Sequence, residues 1–471
     1  MSIQTPDPRR WWALALLCAA QFIVILDTSI IGIALPAIQT NLGFSAEGLS
    51  WIFNAYVIVF GGLLLLGGRL SDLFGARRLF MFGFAILTAG SLVAGLAVSQ
   101  EVLLAGRAIQ GLGAALIAPS AMSILVSLFS HSGAELGKAF AFWGASAAAG
   151  GTAGVFLGGV ITQWMSWEWT FLINVPLGIV VLAASPGLLR KGVITRGQID
   201  WLGAMVITAA LVLSVYAIVT TEPGHWTSPA TIAQLAAALA LFITFVVLQV
   251  FRKQPLLPLR IFRAPNLAIG NLLMALLGAA WIPLWFYLNL YLQQTLSFSA
   301  WESGLALVPM TVAIMILMVG FSGKFIALLG PKSSLVLGLA IMAGALAWFA
   351  QLPADGEFWI DVLPASMLAA LGMSLAYIPA TMVGVSGARP EETGLASGLI
   401  NTTYQVGSAV GLAAMVALAA SNTPVAENAI PNLLPGFQSA FSGAAVVALM
   451  GAVIALIGLK GRKSARTAAA E

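Results

Sequence analysis

Two charged side chains, Asp27 and Arg107, lie inside long apolar stretches of a sequence in which only 8% of residues are charged. A charge at membrane depth is costly and is retained for function or for pairing. Counted at 1.5 Å per residue, Asp27 lies roughly 24 Å along its stretch from Trp11, and Arg107 roughly 9 Å along its own from Glu101. In a hydrocarbon core of about 30 Å both fall in the outer half, so they meet directly or through Gln110, one turn from Arg107. Three kinds of chemistry suit such a pair. A carboxyl taken out of water favours its neutral form and a nearby guanidinium favours the anion, so an acid whose distance from an arginine changes would load and release protons. A static ion pair would instead fix helix packing, although burying one seldom adds stability. The aspartate would also attract a cationic solute.

Apolar helices must position these residues. The chain has 471 residues, 60% of them hydrophobic, with 21 Lys and Arg against 17 Asp and Glu. Its mean hydropathy is +0.98. So few charges cannot cover a soluble domain of this length. Apolar runs of roughly twenty residues recur throughout, each long enough to span a bilayer as a helix. The alternating ten-residue segments of a membrane β-barrel are absent. We read fourteen spans, the first at about 11–33 and the last at about 437–459. The first follows Arg9 and Arg10 without a small-residue cleavage site, so a retained span is expected. With both termini in the cytoplasm, every one of the 21 Lys and Arg except Arg107 lies inside. The outer loops carry Glu47, Glu101, Glu168, Glu222, Glu302, Asp355, Glu357, Asp361 and Glu427 instead. That asymmetry is the positive-inside rule, and one span more or fewer would scramble it. The net charge of +4 thus belongs to a cytoplasmic face that suits anionic lipid and calls for no nucleic acid. Cys18 lies alone in an apolar run, and His131 and His225 fall in loops on opposite sides. No metal site, His-based catalytic set or P-loop is expected, hence no cofactor, no ATP and no enzyme.

A polar knot, Gly67 to Arg78, separates the second and third spans. Its Gly68, Arg69, Gly75 and Arg77 recur without a gap 255 positions later as Gly323, Lys324, Gly330 and Lys332. Equivalent loops in corresponding places imply two halves of similar build. The halves would be spans 1–6 and 9–14, with spans 7 and 8 inserted. The expected units are an N-terminal six-helix bundle at 1–188, an inserted pair with cytoplasmic joints at 189–266, and a C-terminal bundle with a short basic tail at 267–471. Prolines within spans (Pro36, Pro119, Pro176, Pro283, Pro309 and Pro379) are expected to kink or break their helices. In span 5, Gly150, Gly151, Gly154, Gly158 and Gly159 form a small-residue face. Such a face allows close helix packing and a smooth surface for one bundle to rock on. Aromatic rings with scattered amides suit flat, lipophilic, neutral or monocationic compounds. The candidates are Phe22, Phe53, Asn54, Tyr56, Gln110, Trp281, Trp285, Tyr287, Tyr377, Asn401, Tyr404 and Gln405, although span aromatics also face lipid or form interfacial belts.

These stretches resemble the major facilitator superfamily in its fourteen-span drug:proton antiporter branch, over nearly the whole chain. The knot, with Gly68, Asp72, Gly75 and Arg77, is similar to the signature loop between spans 2 and 3, with Leu73 and Ala76 where basic residues are usual. Leu103 to Ala115, with Arg107, Gln110, Gly111 and Gly113, resembles the span 4 signature, and Leu26 to Pro36 that of span 1. Gly150 to Gly159 resembles the antiporter signature, with Val155 in place of the usual proline. Trp167 to Pro176 resembles the opening of span 6, and Asp200-Trp201-Leu202-Gly203 the opening of the inserted pair. The resemblance implies an all-α major facilitator fold in the cytoplasmic membrane, acting as a monomer. It implies alternating access between two six-helix bundles. The loop of Gly68, Arg69, Asp72, Gly75, Arg77 and Arg78 would latch the cytoplasmic ends, with Asp72 pairing across to the opposite bundle. The implied activity is proton-driven export of a small lipophilic substrate, with Asp27 and Arg107 coupling protons. The alternatives are a dedicated exporter of one metabolite or antibiotic, and a proton symporter; an integral membrane enzyme or sensor fits poorly.

Overall fold

The structure, a computed structural model, describes residues 9–129, 133–189, 200–221, 225–252, 254–264, 266–385, 393–423 and 432–459. Arg190, Lys191, Arg196, Lys253, Arg389, His131, Glu222, Glu427 and the basic tail after 459 lie outside them. Thirteen described helices are long and apolar enough to cross a membrane, and Ala300–Ile316 is a shorter apolar one. We label these fourteen in order. The first six are α1 (Arg10–Leu42), α2 (Ser50–Phe74), α3 (Ala76–Gly95), α4 (Gln100–Phe129), α5 (Gly133–Trp164) and α6 (Trp169–Leu188). The inserted pair is α7 (Trp201–Thr220) and α8 (Pro229–Phe251). The last six are α9 (Leu267–Leu290), α10 (Ala300–Ile316), α11 (Ser322–Phe349), α12 (Leu363–Val385), α13 (Thr393–Asn422) and α14 (Leu434–Gly458).

Packing repeats between the halves. α1 lies on α5 and α6, α2 on α4, and α3 on α4 and α6. Correspondingly, α9 lies on α13 and α14, α10 on α12, and α11 on α12 and α14. Two seams join the halves, α5 against α10 and α2 against α13, and they exchange under the same correspondence. The repeated knot is visible in the backbone. Gly75 closes α2 at φ +89° and Gly330 interrupts α11 at φ +78°, a region that a residue with a Cβ reaches only under strain. In the second knot, Lys332 donates to the carbonyl of Leu459, just past the end of α14, at 2.7 Å.

Five of the six prolines do not break the chain: α1, α4, α9, α10 and α12 run on through Pro36, Pro119, Pro283, Pro309 and Pro379, whereas α6 is interrupted at Ile173, three residues before Pro176. Among the described residues, three π-turns add further irregularities, at Tyr291–Thr295, Leu317–Phe321 and Phe358–Val362. A π-turn inserts one residue into the ladder and needs no Gly or Pro. The inserted pair touches both halves, α7 lying on α2 and α13. A buried clasp holds its inner end. Asp200 accepts from the Gly203 amide at 2.9 Å and from Gln249 Nε2 at 2.9 Å, and Arg252 lies 3.6 Å away. The Leu257 amide then donates to Gln249 Oε1 at 3.0 Å, which pins the strap after α8. From the knot, Arg69 donates to Gln254 of that strap at 2.8 Å.

Candidate functional site

Asp27 and Arg107 meet. Both are buried, at 1% and 0% exposure, and Arg107 Nη1 donates to Asp27 Oδ2 at 2.8 Å. Gln110 joins them from the next turn of α4. Its Oε1 accepts from Arg107 Nη1 at 2.9 Å, and its Nε2 donates to Asp27 Oδ1 and to Ser91 Oγ, both at 2.8 Å. Ser91 donates on to the Leu87 carbonyl of α3. Arg107 Nε donates to the Ile52 carbonyl of α2 at 2.9 Å, and the guanidinium carbon stands 4.5 Å from the centre of the Tyr56 ring. From α6, Asn174 Nδ2 donates to Asp27 Oδ1 at 2.6 Å. Five helices thus contribute to one polar cluster, and the two carboxyl oxygens at its centre accept from three donors on α4 and α6. That set suits a carboxylate, since an ionised acid is acceptor-only.

Glycines make the convergence possible. A Cβ at Gly106 would lie 2.7 Å from the Ala94 amide, and one at Gly90 would lie 2.7 Å from the Gln110 amide. A Cβ at Gly111 would strike the Tyr56 carbonyl. Helices α2, α3 and α4 therefore approach at backbone contact, and Arg107 reaches Ile52 without stretching. The span 5 glycines divide between two partners. Gly150, Gly154 and Gly158 lie on α1 at Phe22, Leu26–Ser29 and Ile30, whereas Gly159 lies against Ala300 and Gly304 of α10. Gly151 faces more open space, with nothing nearer than 3.9 Å.

The other sequence candidates separate into groups. Phe22 lines an apolar recess of about 400 Å³ with Ala149, Thr152, Ala153 and Phe156 of α5 and Val308 and Met315 of α10. Phe53 meets Phe286 edge-on across the halves, with ring centres 6.1 Å apart. Asn54 is buried beside it, and neither of its amide atoms has a hydrogen-bond partner among the described residues. Trp281 and Trp285 form a T-shaped pair on α9, and Tyr377 and Tyr404 another between α12 and α13. Gln405 packs against Gly61 at the α2–α13 seam, and Asn401 is exposed one turn before it. Tyr56 stacks on Arg107, as part of the charged cluster. Tyr287 lies in the core of the second half against Phe437 and Phe441. In the knot, Asp72 occupies the last turns of α2, while Arg69 bonds to the strap after α8.

Sequence reading missed several groups that the fold brings in. Ser91 and Asn174 complete the polar cluster, and Asn174 stands in a stretch recognised only as a span opening. At the outer ends, Gln293 donates to the Ile33 carbonyl at 3.0 Å and Gln294 donates to Gln39 Oε1 at 2.9 Å. Together with Phe53–Phe286 and Gly159–Gly304 these close the halves on the outer side. The signal was the amide pair itself, polar residues ending a long apolar run.

The same build occurs in solved transporters. A peptide transporter determined with sulfate superposes with a TM-score of 0.69 at 15% identity, covering 94% of this chain and 93% of that one. A nucleoside transporter superposes with a TM-score of 0.67 at 12% identity, covering 96% and 100%. Identities this low speak for the fold alone. In sequence, a cephamycin export protein of Amycolatopsis lactamdurans is 37% identical over 446 residues, 94% of this chain and 91% of the relative. A puromycin resistance protein of Streptomyces alboniger is 32% identical over 98% and 94%. A tetracenomycin C resistance and export protein of Streptomyces glaucescens is 33% identical over 93% and 82%. The profile of the Major Facilitator Superfamily matches residues 17–412, and the chain belongs to that family.

Proposed function

We propose that this multi-pass membrane protein is a proton-coupled exporter of small lipophilic compounds, neutral or singly cationic, with antibiotics foremost. The observation that carries the reading is a carboxyl and a guanidinium buried together among membrane-spanning helices, with an apolar recess beside α1, the helix that carries the acid. The relatives named for antibiotic export or resistance supply the substrate class. In the cycle we infer, deprotonated Asp27 accompanies substrate loading from inside. A proton from outside then neutralises it as the substrate leaves, and the protonated form returns inward. One charge crossing the membrane supplies about 2.3 kcal/mol per 100 mV, and one pH unit about 1.4 kcal/mol. A single proton thus drives substantial accumulation without nucleotide. Aspartate and glutamate on α9–α14 sit at the outer ends, as Glu302 and Asp361 do, which disfavours dications.

The test is efflux from proteoliposomes under an imposed pH gradient, comparing wild type with Asp27→Asn. Uphill transport should vanish in the variant while downhill exchange persists. Uphill pumping by the amide variant would rule out Asp27 as the carrier. Each of these relatives is named for one antibiotic, which favours a second reading, a dedicated exporter on the same scaffold. A substrate panel separates the two.

A further inference from the structure

We propose that Asn174 reverses its hydrogen bond when Asp27 takes up a proton, serving first as donor to the carboxylate and then as acceptor for the acid. The inference rests on the reading of Asp27 as proton carrier. As drawn, Asp27 accepts from Arg107, Gln110 and Asn174 and donates to nothing. Adding a proton turns one of its oxygens into a donor, and a buried donor needs an acceptor within reach.

The neighbours can be taken in turn. Arg107 has only donors. Gln110 is committed at both ends: its carbonyl accepts from Arg107, and its amide nitrogen holds Ser91 as well as Asp27. Turning it would aim its NH₂ at the guanidinium. Ser91 Oγ already accepts from Gln110 and donates to Leu87. Asn174 differs. It is fully buried, its nitrogen points at Asp27 Oδ1, and its carbonyl oxygen has no hydrogen-bond partner among the described residues. Half a turn about its terminal torsion, a soft two-fold rotation, exchanges the two ends. The carbonyl then faces Asp27 Oδ1, where the new proton would sit. No other hydrogen bond of the cluster is given up, and the Asn174 NH₂ takes the side where its carbonyl had no partner, so the unpaired end of the amide changes from acceptor to donor.

The step balances simply. A proton arriving from outer water adds to the carboxylate, the local charge rises by one, and Arg107 is left facing a neutral acid. Other ionisable groups around Asp27 are few. Arg107 faces it from α4, and Tyr56 of α2 lies against that guanidinium. α6 contains no ionisable side chain, and on α5 Glu135 and Lys138 lie at the inner end, with Glu135 bonded to Arg10. On α3, Arg77 and Arg78 stand at its inner start, and on α9 and α10 the acid Glu302 stands at the outer end.

The test is infrared difference spectroscopy of the purified protein in liposomes, stepped across pH, with asparagine carrying ¹³C in its side-chain amide. Wild type should show a carboxylic C=O band that is missing in Asp27→Asn, with an asparagine side-chain band changing in step. Asn174→Leu, close in size, should shift the Asp27 band to the frequency of an acid that donates to nothing. It should also slow proton-driven exchange by roughly tenfold or more, the scale of one buried donor left unpaired. Asn174→Thr, whose hydroxyl both donates and accepts, should restore much of each. An Asp27 band that Asn174→Leu leaves in place, or a silent asparagine amide, overturns the inference and leaves the proton-carrier reading standing. Absence of any Asp27-dependent band overturns that reading, and this one with it.

Discussion

Arg107 acts through three parts of its guanidinium at once. Nε holds the Ile52 carbonyl, Nη1 holds Asp27 and Gln110, and the planar face lies on Tyr56. A lysine has one nitrogen and no plane, so it could not satisfy this set. Tyr56 contributes its ring and not its hydroxyl, which is buried without a hydrogen-bond partner among the described residues. Removing that hydroxyl removes an unpaired polar group and keeps the cation–π contact. Tyr56→Phe should therefore transport like wild type with an unchanged or slightly raised melting temperature, whereas Tyr56→Leu should lose about 1–2 kcal/mol. Thermal unfolding in detergent with a parallel efflux assay distinguishes the two, and equal damage from both would contradict the assignment. At this scale the sequence showed the charged pair clearly, because two charges in an apolar chain stand out by type alone. The partners were not legible in the same way. Residue type alone does not single out Ser91 and Asn174, and only the fold shows that Asn174 points at the carboxyl and Ser91 at the Gln110 amide that holds it.

Helix α5 shows how position along an element decides what a glycine does. Gly154 faces α1, where a Cβ would come within 2.8 Å of Ser29 Cβ and 3.0 Å of the Leu26 carbonyl, beside Asp27. Three residues earlier Gly151 meets nothing closer than 3.9 Å. Alanine at 154 must push α5 off α1 and shift the helix that carries the acid, an overpacking cost of about 1–3 kcal/mol. At 151 it adds only ordinary contact, so the change should stay within about 0.5 kcal/mol. We expect Gly154→Ala to lower both melting temperature and transport rate, and Gly151→Ala to change neither. If the two behave alike in both assays, the division of the glycine face is wrong. Spacing of small residues announced a close-packed helix, but not which glycine met which neighbour, since i+3 and i+4 rows overlap on so smooth a surface. The π-turns were illegible for a related reason: Tyr291–Thr295 holds no glycine or proline, and Gly320 within Leu317–Phe321 is one of many glycines in these helices, so tertiary contact decides the extra residue. Proline marked one interruption, the break in α6 three residues before Pro176, and overstated the others, because the helices run on through Pro36, Pro119, Pro283, Pro309 and Pro379.

Across the whole molecule, topology was the most legible feature, because charge sidedness and a repeated loop are properties of the chain as a line. The conformation was not, since it depends on which surfaces of the two halves face each other. Here they meet at the outer side through Gln294–Gln39, Gln293 with the Ile33 carbonyl, and Phe53–Phe286. Three neutral amides and an aromatic edge make a reversible closure, since amides parted from their partners can hydrogen-bond to water instead. If this seam opens in every cycle, tying it shut must stop transport without disturbing the bundles. Gln39 and Gln294 touch side chain to side chain at 2.9 Å, so cysteines at both positions lie within reach of a short thiol cross-linker. The single native cysteine, Cys18, is only half-buried and should first be changed to serine. Cross-linked protein is expected to lose uphill efflux completely, and a reducible linker should return it on reduction, with either single cysteine unaffected by the reagent. Sustained efflux by fully cross-linked protein would mean that these outer ends stay together throughout transport, and the substrate would then need an exit other than the seam between α1 and α9.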